Sequence, residues 1–262
     1  MRIRWQSFID PDQHRDYFGL LDEQLRLSAG PGVSYEIVGI QPPDTELHRL
    51  SEVRCGVRAV ANAIDAEREG YDAFALGHFQ DSGLHEARSA IDIPVLGLGE
   101  TTMLHACTLG QLIGLVTIDP VFIPWHREQI GRYGLGERVI GVTAMGRLGV
   151  ADYVQACADE DAFRRVYDQF EAASQPLLAA GAEVLIPAGG LPALVLSRRP
   201  GLEVGGAAVL NGVPVLAKHA EAAVELARLG VPVASRKGPF APASERCREE
   251  FLAFTGMDSS SP

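Results

Sequence analysis

The chain has 262 residues, 47% of them hydrophobic and 22% charged, with a formal net charge of −11. That composition is globular and excludes disorder as the main state, and the length gives one or two domains with a real core. The acidic balance argues against nucleic acid, whose phosphates call for a basic face. No run of ~18 apolar residues marks a membrane helix, and Met1 to Asp10 lacks a signal-peptide pattern.

Ile3, Trp5 and Phe8 mark a first strand. Short apolar runs follow at Val33–Ile40, Asp72–Gly77, Ile93–Leu98, Leu112–Ile118, Arg138–Thr143 and Glu183–Pro187. Runs of this length read as strands buried on both faces, the parallel-sheet pattern. Helical spacing lies between them. Val53, Val57, Val60, Ala61 and Ile64 recur after Ser51, taken as the N-cap. Phe163, Val166, Tyr167, Phe170, Ala173 and Leu177 repeat the pattern, and Leu216 to Ala227 does so before Gly230. The alternation predicts an α/β fold with a mainly parallel sheet. Gly70–His78 also lines up with Gly181–Gly189: a glycine turn, an acidic residue, an apolar strand and a small-residue exit. If the repeat is real, the chain holds two related halves. His78 and Gly189 then sit at equivalent strand exits, where open α/β sheets bind ligands.

Several chemistries are missing. Gly97-Leu98-Gly99 has no third glycine, and there is no phosphate loop or nucleophile elbow. Cys55, Cys107, Cys157 and Cys247 form no C-x-x-C pair, so reduced thiols in a cytoplasmic protein are expected. His78, Asp81, His85 and His105 match no zinc spacing. What remains is His78 as a general acid or base at a strand exit, followed by Asp81 or Ser82 as a helix cap. Ala188-Gly189-Gly190-Leu191-Pro192 reads as a backbone cradle for a carboxylate or oxyanion, or as a tight turn with Pro192 starting a helix. Thr117 ends a strand and could donate to a substrate carboxylate. His126 falls on the next helix, exposed or in the core. Glu100 is a helix-start acid.

Together, Gly70–Leu84, Pro94–Glu100, Gly181–Leu191 and Leu210–Glu221 with Ala234-Ser235-Arg236 resemble the aspartate/glutamate/hydantoin racemase superfamily, most closely its hydantoin racemase-like branch. The resemblance runs through about residues 1 to 240. It implies two similar parallel-sheet α/β halves, 1–99 plus 207–262 and 100–206, with the active site between them. It also implies a cofactor-independent enzyme, with a homo-oligomer expected, that moves a proton with one cysteine from each half. Here the two cysteine positions read as His78 and Gly189, and the asparagine after the first strand reads as replaced near Gln6 and Ser7. The expectation is therefore an acid/base enzyme using His78 on a small carboxylate or cyclic ureide, of isomerase, decarboxylase, lyase or hydrolase type, with no metal. The alternative is a non-catalytic relative that binds a small ligand or a protein. In the first case His78 and the Gly189 and Gly190 N–H groups share one pocket, with Thr117 on its rim and a gap before Gly189.

Overall fold

In a computed structural model, which describes residues 1–256 apart from 45 and 147, the chain forms two separate sheets. The first half runs β1 (Arg2–Gln6), α1 (Arg15–Ser28), β2 (Ser34–Val38), α2 (Arg49–Arg68), β3 (Ala73–Leu76), α3 (Leu84–Ala90), β4 (Val95–Gly97) and α4 (Leu98–Ala106). The second runs β5 (Ile113–Thr117), α5 (Phe122–Arg132), β6 (Val139–Ala144), α6 (Val150–Ala156), α7 (Glu160–Ala179), β7 (Val184–Ala188), α8 (Gly190–Leu196), β8 (Glu203–Val204) and β9 (Ala207–Val209). Strand order is β2-β1-β3-β4 in one sheet and β6-β5-β7-β9-β8 in the other. All pairings are parallel except the β8–β9 hairpin. Among the described residues no helix is long and apolar enough to cross a membrane.

The two sheets superpose in order: β3 lies between β1 and β4 as β7 lies between β5 and β9. The sequence repeat has a physical basis. Gly70 and Gly181 take left-handed turns at φ 73° and 93°. The acid that follows each turn then accepts the first N–H of the neighbouring strand region. Arg2 N donates to Asp72 at 2.7 Å and Leu112 N to Glu183 at 3.0 Å. Every residue of β3, β5 and β7 is buried, which is why each reads as an uninterrupted apolar run.

The chain then crosses back. Asn211 caps α9 (Gly212–Arg228), accepting from Val213 N at 3.0 Å, and α9 packs on α1, α4, β3 and β4. β9 pairs with β7, so residues 207–209 lie in the second sheet, not with the first half to which the sequence reading gave them. The return begins at α9. α10 (Glu245–Thr255) lies against α2.

Two caps differ from the sequence reading. His48, not Ser51, is the N-cap of α2: its ring accepts from Leu50 N at 3.1 Å, while Ser51 reaches back to His48 N. Gly83, at φ 88°, precedes α3, and Asp81 caps α4 instead, accepting from Gly99 N at 3.0 Å and Glu100 N at 2.7 Å.

Gly77 follows β3 and lies against the buried Trp5. A Cβ there would overlap the Trp5 indole and come within 2.9 Å of the Gln6 carbonyl oxygen. Gly77→Ala should therefore overpack the core and lower stability by about 1–3 kcal/mol, read as a lower urea midpoint at unchanged slope.

Candidate functional site

His78 leaves the carboxyl end of β3 with its ring stacked on Phe8, centroids 3.9 Å apart and planes 14° from parallel. Its Nε2 lies 2.9 and 3.1 Å from the two carboxylate oxygens of Glu52. Glu52 is buried in the first turn of α2 and also accepts a hydrogen bond from the Ser82 hydroxyl. Asp44 is the third member. One donor atom each from Asp44, Glu52 and His78 lie within 4.8 Å of one another, the one such group of three among the described residues.

Burial alone would lower the His78 pKa, but the Glu52 charge and hydrogen bond, helped by Asp44 and Asp81, hold it above the usual histidine value. Burial would raise Glu52, yet the imidazolium and the bonds from His78 and Ser82 hold it below the carboxylate range. Asp44 goes the other way. Burial raises it, and the neighbouring Glu52 adds to the rise against the pull of Ser51 and His78. The site is thus an imidazolium–carboxylate pair with a carboxyl beside it that favours its proton. Two carboxylates and an imidazole are also donors a divalent cation could use. Here Nε2 is already turned onto Glu52, so the geometry describes a proton-holding cluster.

The opposite wall comes from the end of β7. Gly189 is extended, at φ 171°. Its N–H donates to Pro187 O at 3.0 Å, so it is not offered to an anion as the sequence reading expected. The expected gap is closed as well: a Cβ at 189 would lie 2.9 Å from Pro192 Cδ and 3.6 Å from Ile118 Cγ2. Gly190 passes close to the other half, where a Cβ would meet Gly77 O at 3.0 Å. His78, Gly189 and Gly190 do line one cavity of about 50 Å³, with Asp44, Tyr17 and Gln80. A second space, a groove of about 570 Å³ between α2 and α5, is lined by Arg49, Glu52, Gln80, Ser82, Trp125 and Arg132. Gln80 lines both spaces, with Glu52 on the groove and its partner His78 on the cavity.

Three other predicted site residues lie elsewhere. Thr117 is buried with its hydroxyl 3.1 Å from His126 Nε2, away from the cavity rim. Gln6 accepts from Asn62 Nδ2 at 2.7 Å and donates to Ser7 O at 2.8 Å. Ser7 bonds Tyr17 OH at 3.1 Å and touches the cavity only through that tyrosine, whose pKa burial pushes up to about 12. His126 is a core residue, and burial pushes its pKa down to about 4. It belongs to a polar seam joining the halves: His126 Nδ1 meets Gln129 at 3.1 Å, and Gln129 Nε2 donates to Phe79 O at 2.6 Å and Asp81 at 3.0 Å. Sequence reasoning missed Glu52 and Asp44. Glu52 looks like any first-turn helix acid, and Asp44 sits in a Pro-rich loop with no spacing cue.

No cysteine among the described residues lines the cavity, although Cys55 lies within electrostatic reach of Asp44 and Glu52. Burial pushes both Cys55 and Cys157 up to about 12, while Cys247 is exposed. Iodoacetamide should label Cys247 first and leave any turnover intact, read by intact mass and activity on the same sample. Inactivation tracking Cys55 or Cys157 would move the site.

Comparison with known proteins fits this architecture. The family model described as Asp/Glu/Hydantoin racemase matches residues 11–220. The chain is 33% identical over 87 residues to a hydantoin racemase of Pseudomonas sp. (strain NS671), a stretch covering 33% of this chain and 34% of that protein. A hydantoin racemase of Rhizobium meliloti is 29% identical over 85 residues, 32% of this chain and 31% of that one. The match thus spans about a third of the length of these relatives. Among solved structures, the allantoin racemase from Klebsiella pneumoniae aligns with a TM-score of 0.78 at 21% identity over 94% of each chain. A glutamate racemase from Bacillus anthracis aligns at 0.62 and 16% identity, over 97% of this chain and 93% of that one. At such identities these two show the shared fold.

Proposed function

The chain belongs to the Asp/Glu/hydantoin racemase family, and on that premise we propose that it is a cofactor-independent acid/base enzyme acting on one face of a small cyclic ureide or carboxylate, with His78 as its proton-carrying group. The observation that carries this reading is the bond to Glu52 from Nε2 of a histidine that lines the cavity. With Nε2 held, Nδ1 has no hydrogen-bond partner among the described residues, and it is the nitrogen left to exchange a proton with a substrate. Glu52 fixes the ring and stabilises its charged form, the role an orienting carboxylate plays for a catalytic histidine.

The far wall of Gly189, Gly190, Pro192 and Ile118 has no titratable side chain. Proton transfer is therefore one-sided. The charged imidazole delivers its Nδ1 proton to the carbon next to a carbonyl, and the neutral ring takes one from that same face. Hydantoin and allantoin racemases among the similar proteins support a ureide as substrate. The cavity of about 50 Å³ is far below the ~300–1,000 Å³ of most ligand sites, so the two halves must part to admit a ring.

The test is turnover of chiral 5-substituted hydantoins, allantoin and 2-substituted carboxylates in D₂O. Deuterium should enter at the stereocentre faster than optical rotation is lost, both measured against the uncatalysed rate. Equal rates would demand a second acid/base group on the far wall and overturn the one-sided mechanism. The small cavity and the Pro192 wall favour one other reading, a non-catalytic binder. Saturable binding with no deuterium uptake would establish that instead.

A further inference from the structure

One buried carboxyl oxygen of the cavity wall is unpaired among the described residues. Asp44 is 7% exposed, lines the cavity beside His78, and its Oδ1 has no hydrogen-bond partner among the described residues. A buried carboxyl oxygen loses its water and is costly to leave bare, so such an atom calls for a partner that arrives with the ligand.

We propose that Asp44 is the specificity residue of the cavity, taking a ureide N–H on its unpaired oxygen and rejecting carboxylate anions. The proposal rests on the cavity being the substrate site and decides between the two substrate classes left open above. Three observations carry it. First, no lysine or arginine among the described residues lines the cavity. Second, the positive charge that does reach it, on His78, is already matched by Glu52 at 2.9 Å. Third, the Gly189 N–H on the far wall donates to Pro187 O. An anion entering here meets the Asp44 carboxyl and, among the described residues, no unmatched cationic side chain. A cyclic ureide is neutral and presents an N–H beside a C=O along one edge. The N–H suits Asp44 Oδ1 whether or not Asp44 carries a proton. When it does, the carboxyl can answer both groups of that edge at once. A site built around a buried acceptor discriminates strongly, because the wrong ligand leaves that acceptor unpaired.

The test uses the full chain with two probes that differ by one water, hydantoin and its ring-opened anion N-carbamoylglycine, each measured by calorimetry near neutral pH. Wild type should bind hydantoin at least ~10-fold more tightly. Asp44→Asn keeps an acceptor oxygen and removes the charge. It should hold hydantoin within about 3-fold and gain about 10-fold for N-carbamoylglycine, so that the preference collapses. Asp44→Leu should lose hydantoin; if it fails to fold, the Asn ratio still decides. Equal binding of the two probes by wild type, an unchanged ratio in Asp44→Asn, or no saturable hydantoin binding would each overturn the assignment. Selective hydantoin binding with no deuterium uptake would keep Asp44 and discard the acid/base reading. Uptake on a carboxylate without hydantoin binding would do the reverse.

Discussion

Replacing His78 with glutamine is expected to cut deuterium uptake by about 10²–10⁴-fold, the usual contribution of a positioned proton-transfer group. Glutamine is chosen because the fold must survive. Glu52 is a buried carboxylate whose partners are His78 and Ser82, and removing one partner of such a pair outright costs about 3–5 kcal/mol by leaving the charge unmatched. His78→Ala would mix that loss with the loss of chemistry. The glutamine amide can still donate to Glu52 but cannot take up or deliver a proton at this pH. The comparison is therefore uptake per folded molecule, with the urea midpoint measured on the same preparation. If His78→Gln keeps more than about a third of wild-type uptake, the proton passes through another group. Gln80 and Tyr17 share the cavity, but neither exchanges protons readily near neutrality. The tyrosine is pushed up to about 12, so a retained rate would point to Asp44, the other titratable group lining the cavity.

The parts of this molecule that could be read from sequence are those fixed by local patterns. β3, β5 and β7 are buried on both sides, so their apolar runs mark them without ambiguity. The repeat around Gly70 and Gly181 was legible because each half needs the same left-handed turn and the same acid to close its sheet. His78 could be singled out because a strand exit is where a parallel sheet presents side chains. Its chemistry could not. The charge that decides it sits on Glu52, 26 residues earlier in chain order, and only the packing of α2 over the loop after β3 brings the two together. Thr117 fails as a site residue for a related reason. It does end a strand, but α5 folds back over it and gives its hydroxyl to His126. The gap before Gly189 fails because Pro192, read from sequence as a helix starter, turns its ring into that space.

The same packing explains how the two halves share one site. Asp81 follows β3 in the first half. It accepts from Gly99 and Glu100 of α4 and from Gln129 and Tyr133 of the second half. Burial pushes its pKa up to about 6, against the lowering effect of those donors. The loop that carries His78 is thereby pinned from both sides, three residues beyond the imidazole. On the other side α9 returns from the second sheet and packs against β3 and β4, with Tyr35 donating to Glu221 at 2.9 Å. The His78 ring held this way has little freedom left to lose when a ligand arrives, which suits the proposed proton transfer.

Glu52→Gln is expected to produce the second large effect, a fall in the His78 pKa to below its ordinary value of ~6.5. In the wild type burial opposes the charged ring and Glu52, helped by Asp44 and Asp81, overcomes it; without the Glu52 charge the two aspartates alone oppose burial, and burial prevails. The His78 Cε1–H resonance titrated by NMR reads this directly, and a value that stays above ~6.5 would remove Glu52 from its orienting role. Stability should follow the same pair. His78, raised in the folded state, contributes fully below ~6.5 and loses that contribution as pH rises through its folded value. Glu52, lowered in the folded state, contributes fully above ~4.3 and loses its share as pH falls through its folded value. The pair therefore stabilises most between ~4.5 and ~6.5. The deficit of Glu52→Gln relative to wild type should reach about 1.5–3 kcal/mol there, the range for hydrogen bonds to charged groups. It should shrink toward higher pH, where the ring is neutral, and toward lower pH, where the carboxylate itself becomes neutral. A deficit flat from pH 4 to pH 9 would mean that the two side chains pack together without sharing a charge.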